Sequence, residues 1–220
     1  MAFDQRPFDV RCEWGRPGID TLREFTDVFV IVDVFSFCTS VDIAVARGAE
    51  VLPSTLPVTE RSITSLSLSP ASLVAIQPGT RLVLPSRNGS MLSTMTGPIP
   101  TLAGSLRNAR AVGRRAQTIG RRITVVPAGE RWPDDTIRFA IEDLIAAGAV
   151  ISELSGTRSS EANVAVAAYE FARPRLETVL RASASGRELC ERGFETDLML
   201  AAQMDCSDCA PLLSNGAYGR

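Results

Sequence analysis

The chain has no histidine and no lysine, and all 23 of its basic residues are arginine. Those absences exclude a Ser/His/Asp triad, a phosphohistidine intermediate and a P-loop lysine. Carboxylates, hydroxyls, thiols and guanidiniums are left to carry any chemistry. Cysteine is scarce as well, at five residues. That odd number, together with Asp4 and Arg6 in place of an apolar core between Met1 and Pro7, argues against an export signal and a disulfide framework, so the cytoplasm is the expected location. A cysteine-phosphatase loop needs an arginine six positions after its nucleophile. Gly18, Ala44, Thr196, Leu212 and Asn215 occupy those positions instead, which removes that mechanism. Cys206 and Cys209 form a CxxC with no second pair and no histidine, so thiols packed in a core or at a helix end are expected rather than a zinc site. Long apolar runs are missing too: no segment approaches the roughly 18 residues of a membrane span.

What remains is globular. With 220 residues, 45% hydrophobic and 22% charged, the chain suits a single compact domain over 1–220. A net charge of −2 supplies no general field for nucleic acid or for an anionic membrane. Six arginines, Arg107, Arg110, Arg114, Arg115, Arg121 and Arg122, crowd one stretch. No aromatic accompanies them to stack on bases, and a solvated helix face is the ordinary reading.

Strand-like and helix-like segments alternate. Val28 to Phe35 has seven apolar residues in eight and reads as a strand buried on both faces. Phe8 to Trp14 alternates like a half-exposed strand. Glu50–Pro53, Arg81–Leu84, Pro100–Ala103 and Ile123–Val126 complete the set, with a short helix over Val41–Arg47 and a Ser/Thr-rich loop from Thr55 to Pro70. After Asp135 the pattern is mostly helical to about Gln203. This order predicts a three-layer α/β/α fold with a largely parallel or mixed sheet and a helical C-terminal portion.

Chemistry-bearing residues gather at the predicted strand ends. Asp33 ends one strand. Arg87, Asn88, Gly89 and Ser90 follow a second, Ser105 and Asn108 a third, and Gly129 and Glu130 a fourth. In an open parallel sheet those ends line one crevice. Small residues there let N–H groups approach an oxyanion, and Asp33 with Glu130 would supply hard oxygen ligands to Mg2+. Asp33 is either a helix cap or a functional group; the pattern does not choose.

The blocks IVDVFSFCTSVDIAVARGAE, LVLPSRNGS, AGSLRNA, VVPAGER, FAIEDLIAAGAVI and GFETDLMLAAQMDCSDCAPLL resemble, in order, the 2-phosphosulfolactate phosphatase family. The resemblance implies an Mg2+-dependent hydrolase that releases sulfolactate and phosphate, a step of coenzyme M biosynthesis. By motif position it carries over Asp33, Thr39, Ser40, Asn88, Gly89, Ser105, Asn108, Gly129, Glu130, Glu142 and Asp143. Glu142 and Asp143 are neighbours about 100° apart on a helix, with the metal as their implied role. The chain departs from the pattern at Ser36, where the family is expected to carry an arginine, and in a shortened segment around Thr59, Glu60 and Arg61. Arg87 is the candidate replacement for the missing charge. A small anionic phosphoester is the implied partner, with a homodimer as the base-rate assembly. A catalytically silent family member, or a phosphatase for a different phosphoester, is the competing reading.

Overall fold

The structure is a computed structural model and describes residues 3–55 and 68–220. Strand β1 (Val10–Cys12) leads through helix α1 (Gly15–Leu22) to β2 (Val28–Val32), α2 (Phe37–Ala46) and β3 (Glu50–Ser54). Then come α3 (Pro70–Leu73), β4 (Arg81–Pro85), α4 (Gly89–Met95), β5 (Thr101–Gly104), α5 (Ala109–Ile119) and β6 (Ile123–Pro127). A small hairpin, β7 (Glu130–Arg131) and β8 (Ile137–Arg138), precedes five helices: α6 (Ile141–Ser152), α7 (Ser160–Ala172), α8 (Leu176–Ala182), α9 (Ala184–Glu191) and α10 (Glu195–Ala201). The chain closes with β9 (Leu212–Ser214) and β10 (Ala217–Gly219).

Eight strands form one mixed sheet in the order β1-β6-β2-β5-β9-β10-β3-β4. Strands β1, β6, β2 and β5 pair in parallel, as do β3 and β4. The β9–β10 hairpin joins these two parallel blocks by antiparallel pairing on both sides. Side chains of a strand alternate between faces, and β2 shows the consequence. Val28, Val30 and Val32 enter a core with α5, α6 and α7, while Phe29 and Ile31 enter a second core with α2 and Leu82 and Leu84 of β4. The sheet therefore lies between two apolar layers, as the three-layer expectation requires.

Several elements differ from the sequence expectation, among them β8, which opens the stretch after Asp135 expected to be helical. β1 is fully buried rather than half exposed, because Val10 also bridges to Arg158 and the Arg11 side chain turns inward to donate to the carbonyls of Gln5, Phe8 and Phe25. α1 was invisible in a segment holding Gly15, Pro17 and Gly18; the proline falls in the first helical turn, where no intrahelical N–H bond is needed. The terminal hairpin turns on Asn215 and Gly216, both at positive φ (52° and 81°), the Asn-Gly signature of a tight hairpin turn. The Thr55–Pro70 loop, including Thr59, Glu60 and Arg61, falls mostly outside the described residues.

Tyr218 pins the terminal hairpin. It is fully buried, its ring meets Phe37 edge-on at 6.0 Å, and its hydroxyl lies 2.8 Å from Ser93 Oγ. Tyr218→Phe should cost about 1 kcal/mol, one buried hydrogen bond. Tyr218→Ala should cost about 3–5 kcal/mol as a cavity opens. Urea denaturation of the two variants checks the ratio.

Candidate active site

The ends of β2, β4 and β6 are held together by buried carboxylates. Asp33 follows β2 and is 6% exposed. Its Oδ1 accepts from Ser36 Oγ at 3.0 Å, and its Oδ2 accepts the Gly89 N–H at 2.8 Å and Ser86 Oγ at 3.4 Å. The approach of Gly89 demands glycine: a Cβ there would stand 2.8 Å from Asp33 Oδ2 and from Phe37 Cδ1. Asp143, in the first turn of α6, accepts the Val34 N–H on Oδ1 (2.8 Å) and the Gly129 N–H on Oδ2 (2.9 Å). One carboxylate thus ties the end of β2 to β4, and the other ties it to β6. Glu130 stands at the start of β7, where its Oε2 accepts from Asn88 Nδ2 at 3.0 Å.

Four carboxyl groups, Asp33, Glu130, Glu142 and Asp143, feel one another in this region. Burial pushes the Glu130 carboxyl up to about 7, with the charges of Asp33 and Glu142 adding to the shift, while the Asn88 bond and the Arg138 charge oppose it. Burial likewise raises Asp33 against the hydrogen bonds that favour its ionised form. Asp143 is raised well above the ordinary range by burial and then by Asp33 and Glu142. Glu142 is raised by burial, against a hydrogen bond with Ser185 and the Arg138 charge. Arg138, whose Nη2 donates to Ser185 Oγ at 2.8 Å, is the cation whose charge acts on both Glu130 and Glu142. It carries no motif signal, and nothing in the sequence singled it out; the same holds for Ser185, while Ser86 lies in the block LVLPSRNGS but was not picked out of it.

Other predicted site residues are directed elsewhere. Thr39 Oγ1 donates to the Val34 carbonyl and Ser40 Oγ to that of Leu68. Ser90 Oγ is engaged by the N–H and carbonyl of Ser54. Ser105 and Asn108 close on each other as a capping box, so the end of β5 does not join the crevice. Arg87 is exposed and ion-paired with Asp135 at 2.6 Å; its guanidinium is committed to the β7–β8 turn rather than to the place of Ser36. The arginine stretch is largely neutralised by Asp42, Asp205, Asp9 and Asp27, which pair with Arg107, Arg110, Arg121 and Arg122.

Beside Glu130 opens a cavity of about 270 Å3 whose wall includes Ser36, Ser185, Arg192, Glu188 and Asp197. Among the described residues, no three acidic or thiol side chains converge as a metal cage. Asp33, Glu130, Glu142 and Asp143 therefore do not form one four-ligand set, since both oxygens of Asp143 already serve backbone amides. A fit to Mg2+ exists nonetheless. Asn88 Oδ1 is buried and accepts no hydrogen bond from any described group, and its amide is bonded to Glu130. A buried acceptor without a donor costs about 1–3 kcal/mol, and a hard cation that keeps several waters and takes one or two protein oxygens would satisfy it.

Fold and site together define an α/β protein with an acidic, oxygen-lined crevice where strand ends meet. The chain belongs to the 2-phosphosulpholactate phosphatase family, whose model matches residues 60–216. A protein of Carboxydothermus hydrogenoformans named a probable 2-phosphosulfolactate phosphatase is 25% identical over 205 residues, covering 83% of this chain and 84% of its own length. The 2-phosphosulfolactate phosphatase of Methanothermobacter thermautotrophicus is 26% identical over 200 residues, covering 90% of this chain and 80% of its own. A probable 2-phosphosulfolactate phosphatase of Gloeobacter violaceus is 27% identical over 136 residues, 60% of this chain and 55% of its own.

Gly89→Ala should destabilise the protein by about 1–3 kcal/mol through overpacking against Asp33 and Phe37. Denaturant melts give that figure; a change below about 0.5 kcal/mol would mean that Asp33 and Gly89 are not in contact.

Proposed function

We propose that the protein is an Mg2+-dependent phosphomonoester hydrolase of the 2-phosphosulfolactate type, releasing sulfolactate and inorganic phosphate. The observation that carries the reading is the unpartnered amide oxygen of Asn88 beside Glu130, in a crevice held by Asp33 and Asp143, in a chain of this family. Glu130 and Asn88 Oδ1 would hold the metal, which when bound offsets the phosphoryl charge. Asp33, whose carboxylate accepts from Ser36, Ser86 and Gly89, would receive the proton of the attacking water. Ser36 lines the cavity while its hydroxyl donates to Asp33, and Arg138 moderates the charge of Glu130 and Glu142. The reading carries with it a cytoplasmic homodimer, a place in coenzyme M biosynthesis, and no role for nucleic acid or membrane. Among the described residues, no helix is long and apolar enough to cross a membrane. A phosphatase for a less anionic phosphoester is the second reading, favoured by Glu188 and Asp197 in the same cavity wall and by a serine at position 36.

Turnover decides between enzyme and silent homologue. Hydrolysis of phosphosulfolactate or a generic phosphomonoester should vanish in chelator and return with Mg2+. Asp33→Asn should lower kcat at least ~100-fold. If neither substrate is cleaved by the wild type, or if Asp33→Asn turns over normally, the assignment of Asp33 fails.

Metal binding should depend on pH in a definite direction. With the Glu130 carboxyl at about 7 in the metal-free protein, a proton must leave before Mg2+ binds below that pH. Apparent affinity should then rise about tenfold per pH unit up to about pH 7 and flatten above it. Calorimetry from about pH 5.5 to about pH 8.5 reads this slope, and Glu130→Gln should abolish it.

A further inference from the structure

A second cavity, of about 460 Å3, shares no lining residue with the strand-end crevice, and its size is that of a small-molecule site. Its walls carry three guanidiniums from separate parts of the chain, Arg107, Arg115 and Arg220, with Cys206, Ser207 and Asp208. Arg107 donates from Nε to Asp42 Oδ2 at 2.9 Å and from Nη1 to the Leu200 carbonyl at 3.1 Å and to Gln203. Arg115 gives Nη1 to the Ala210 carbonyl at 3.2 Å. Arg220 gives Nε and Nη2 to the carbonyls of Val45 and Ala46, at 3.5 and 2.5 Å, at the end of α2.

Carbonyl partners fix a guanidinium in place without neutralising it. Arg107 is balanced by the fully buried Asp42, which also accepts from Ser207 Oγ at 2.6 Å. Arg115 and Arg220 meet no carboxylate among the described residues, unlike Arg110, Arg121 and Arg122 of the same arginine-rich stretch. Asp208 is the one acidic side chain in the cavity wall. Each guanidinium has five N–H donors, and the bonds above leave part of each fork unused. Burial and then the Asp42 charge push the Cys209 thiol up to about 11, while Arg220 and Arg115, acting on it in the opposite sense, do not bring it down to an ionised state. The thiols therefore add no negative charge to the wall.

We propose that this cavity binds a small oxyanion, a phosphate- or carboxylate-bearing metabolite, through the unused donors of Arg107, Arg115 and Arg220. Guanidinium forks suit both oxyanions because two parallel N–H groups match two oxygens. The site is independent of the phosphatase reading, and its test separates the two.

Inorganic phosphate and citrate serve as probes, titrated calorimetrically into the full chain and into single variants. Arg115→Gln and Arg220→Gln should each weaken binding at this site by about tenfold or more. Arg114→Gln removes an exposed positive charge one residue away from Arg115 and should leave binding as it was. Phosphomonoester turnover by Arg115→Gln should match the wild type. A preference between the probes reports whether phosphate or carboxylate is the better occupant. Equal losses in all three variants would reduce the effect to diffuse surface charge and overturn the proposal. Unchanged binding in Arg115→Gln and Arg220→Gln, or no binding in the wild type, would overturn it as well.

Discussion

Everything at the crevice depends on buried carboxylates that meet backbone N–H groups. A charge removed from water is costly unless donors replace the lost hydration, and Asp33 and Asp143 obtain those donors from the loops that follow three strands. The requirement works in both directions. The acids need the amides, and the amides of Val34, Gly89 and Gly129, turned inward at strand ends, need acceptors. The bonds that stabilise the acids thereby set the spacing of β2, β4 and β6 at the place where a substrate would enter.

That arrangement explains a division of labour among residues that look alike in the sequence. Asp143 is fully engaged on both oxygens and acts as a staple, whereas Glu130 has one amide partner and borders open space. Both are harder to ionise than ordinary carboxyl groups, but only Glu130 combines the shift with access. Ser36 is similarly two-sided, because its hydroxyl supports Asp33 from behind while the residue itself lines the cavity.

The layered fold was legible because strand periodicity and apolar runs are local signals: β2, β4 and β6 lie where Val, Ile and Leu cluster. The position of Asp33, Asn88, Gly89 and Glu130 at strand ends was legible as well, but not that Asp33 meets Gly89 or that Glu130 meets Asn88. The family resemblance read from ordered motif blocks agrees with the family match. What could not be read was direction. Whether Ser90 faces a ligand or the Ser54 backbone, and whether Arg87 faces the site or Asp135, depends on side-chain torsions fixed by tertiary neighbours. Arg138 escaped notice because its importance lies in proximity to Glu130 and Glu142. The terminal hairpin was not among the expected strands, although Asn215-Gly216 is the signature of its turn.

The position of that hairpin bears on how the molecule is made. β9 and β10 lie in the middle of the sheet, between β5 and β3, yet they come last in sequence order among the strands. During synthesis both parallel blocks can form early, each with one bare edge awaiting a partner that has not left the ribosome. Pairing Thr101 with Leu213 closes a very long loop, a step that is slow for entropic reasons. Until it occurs, two unpaired strand edges are open to other chains, so a nascent or truncated form lacking its last strands would be the species that chaperones must guard.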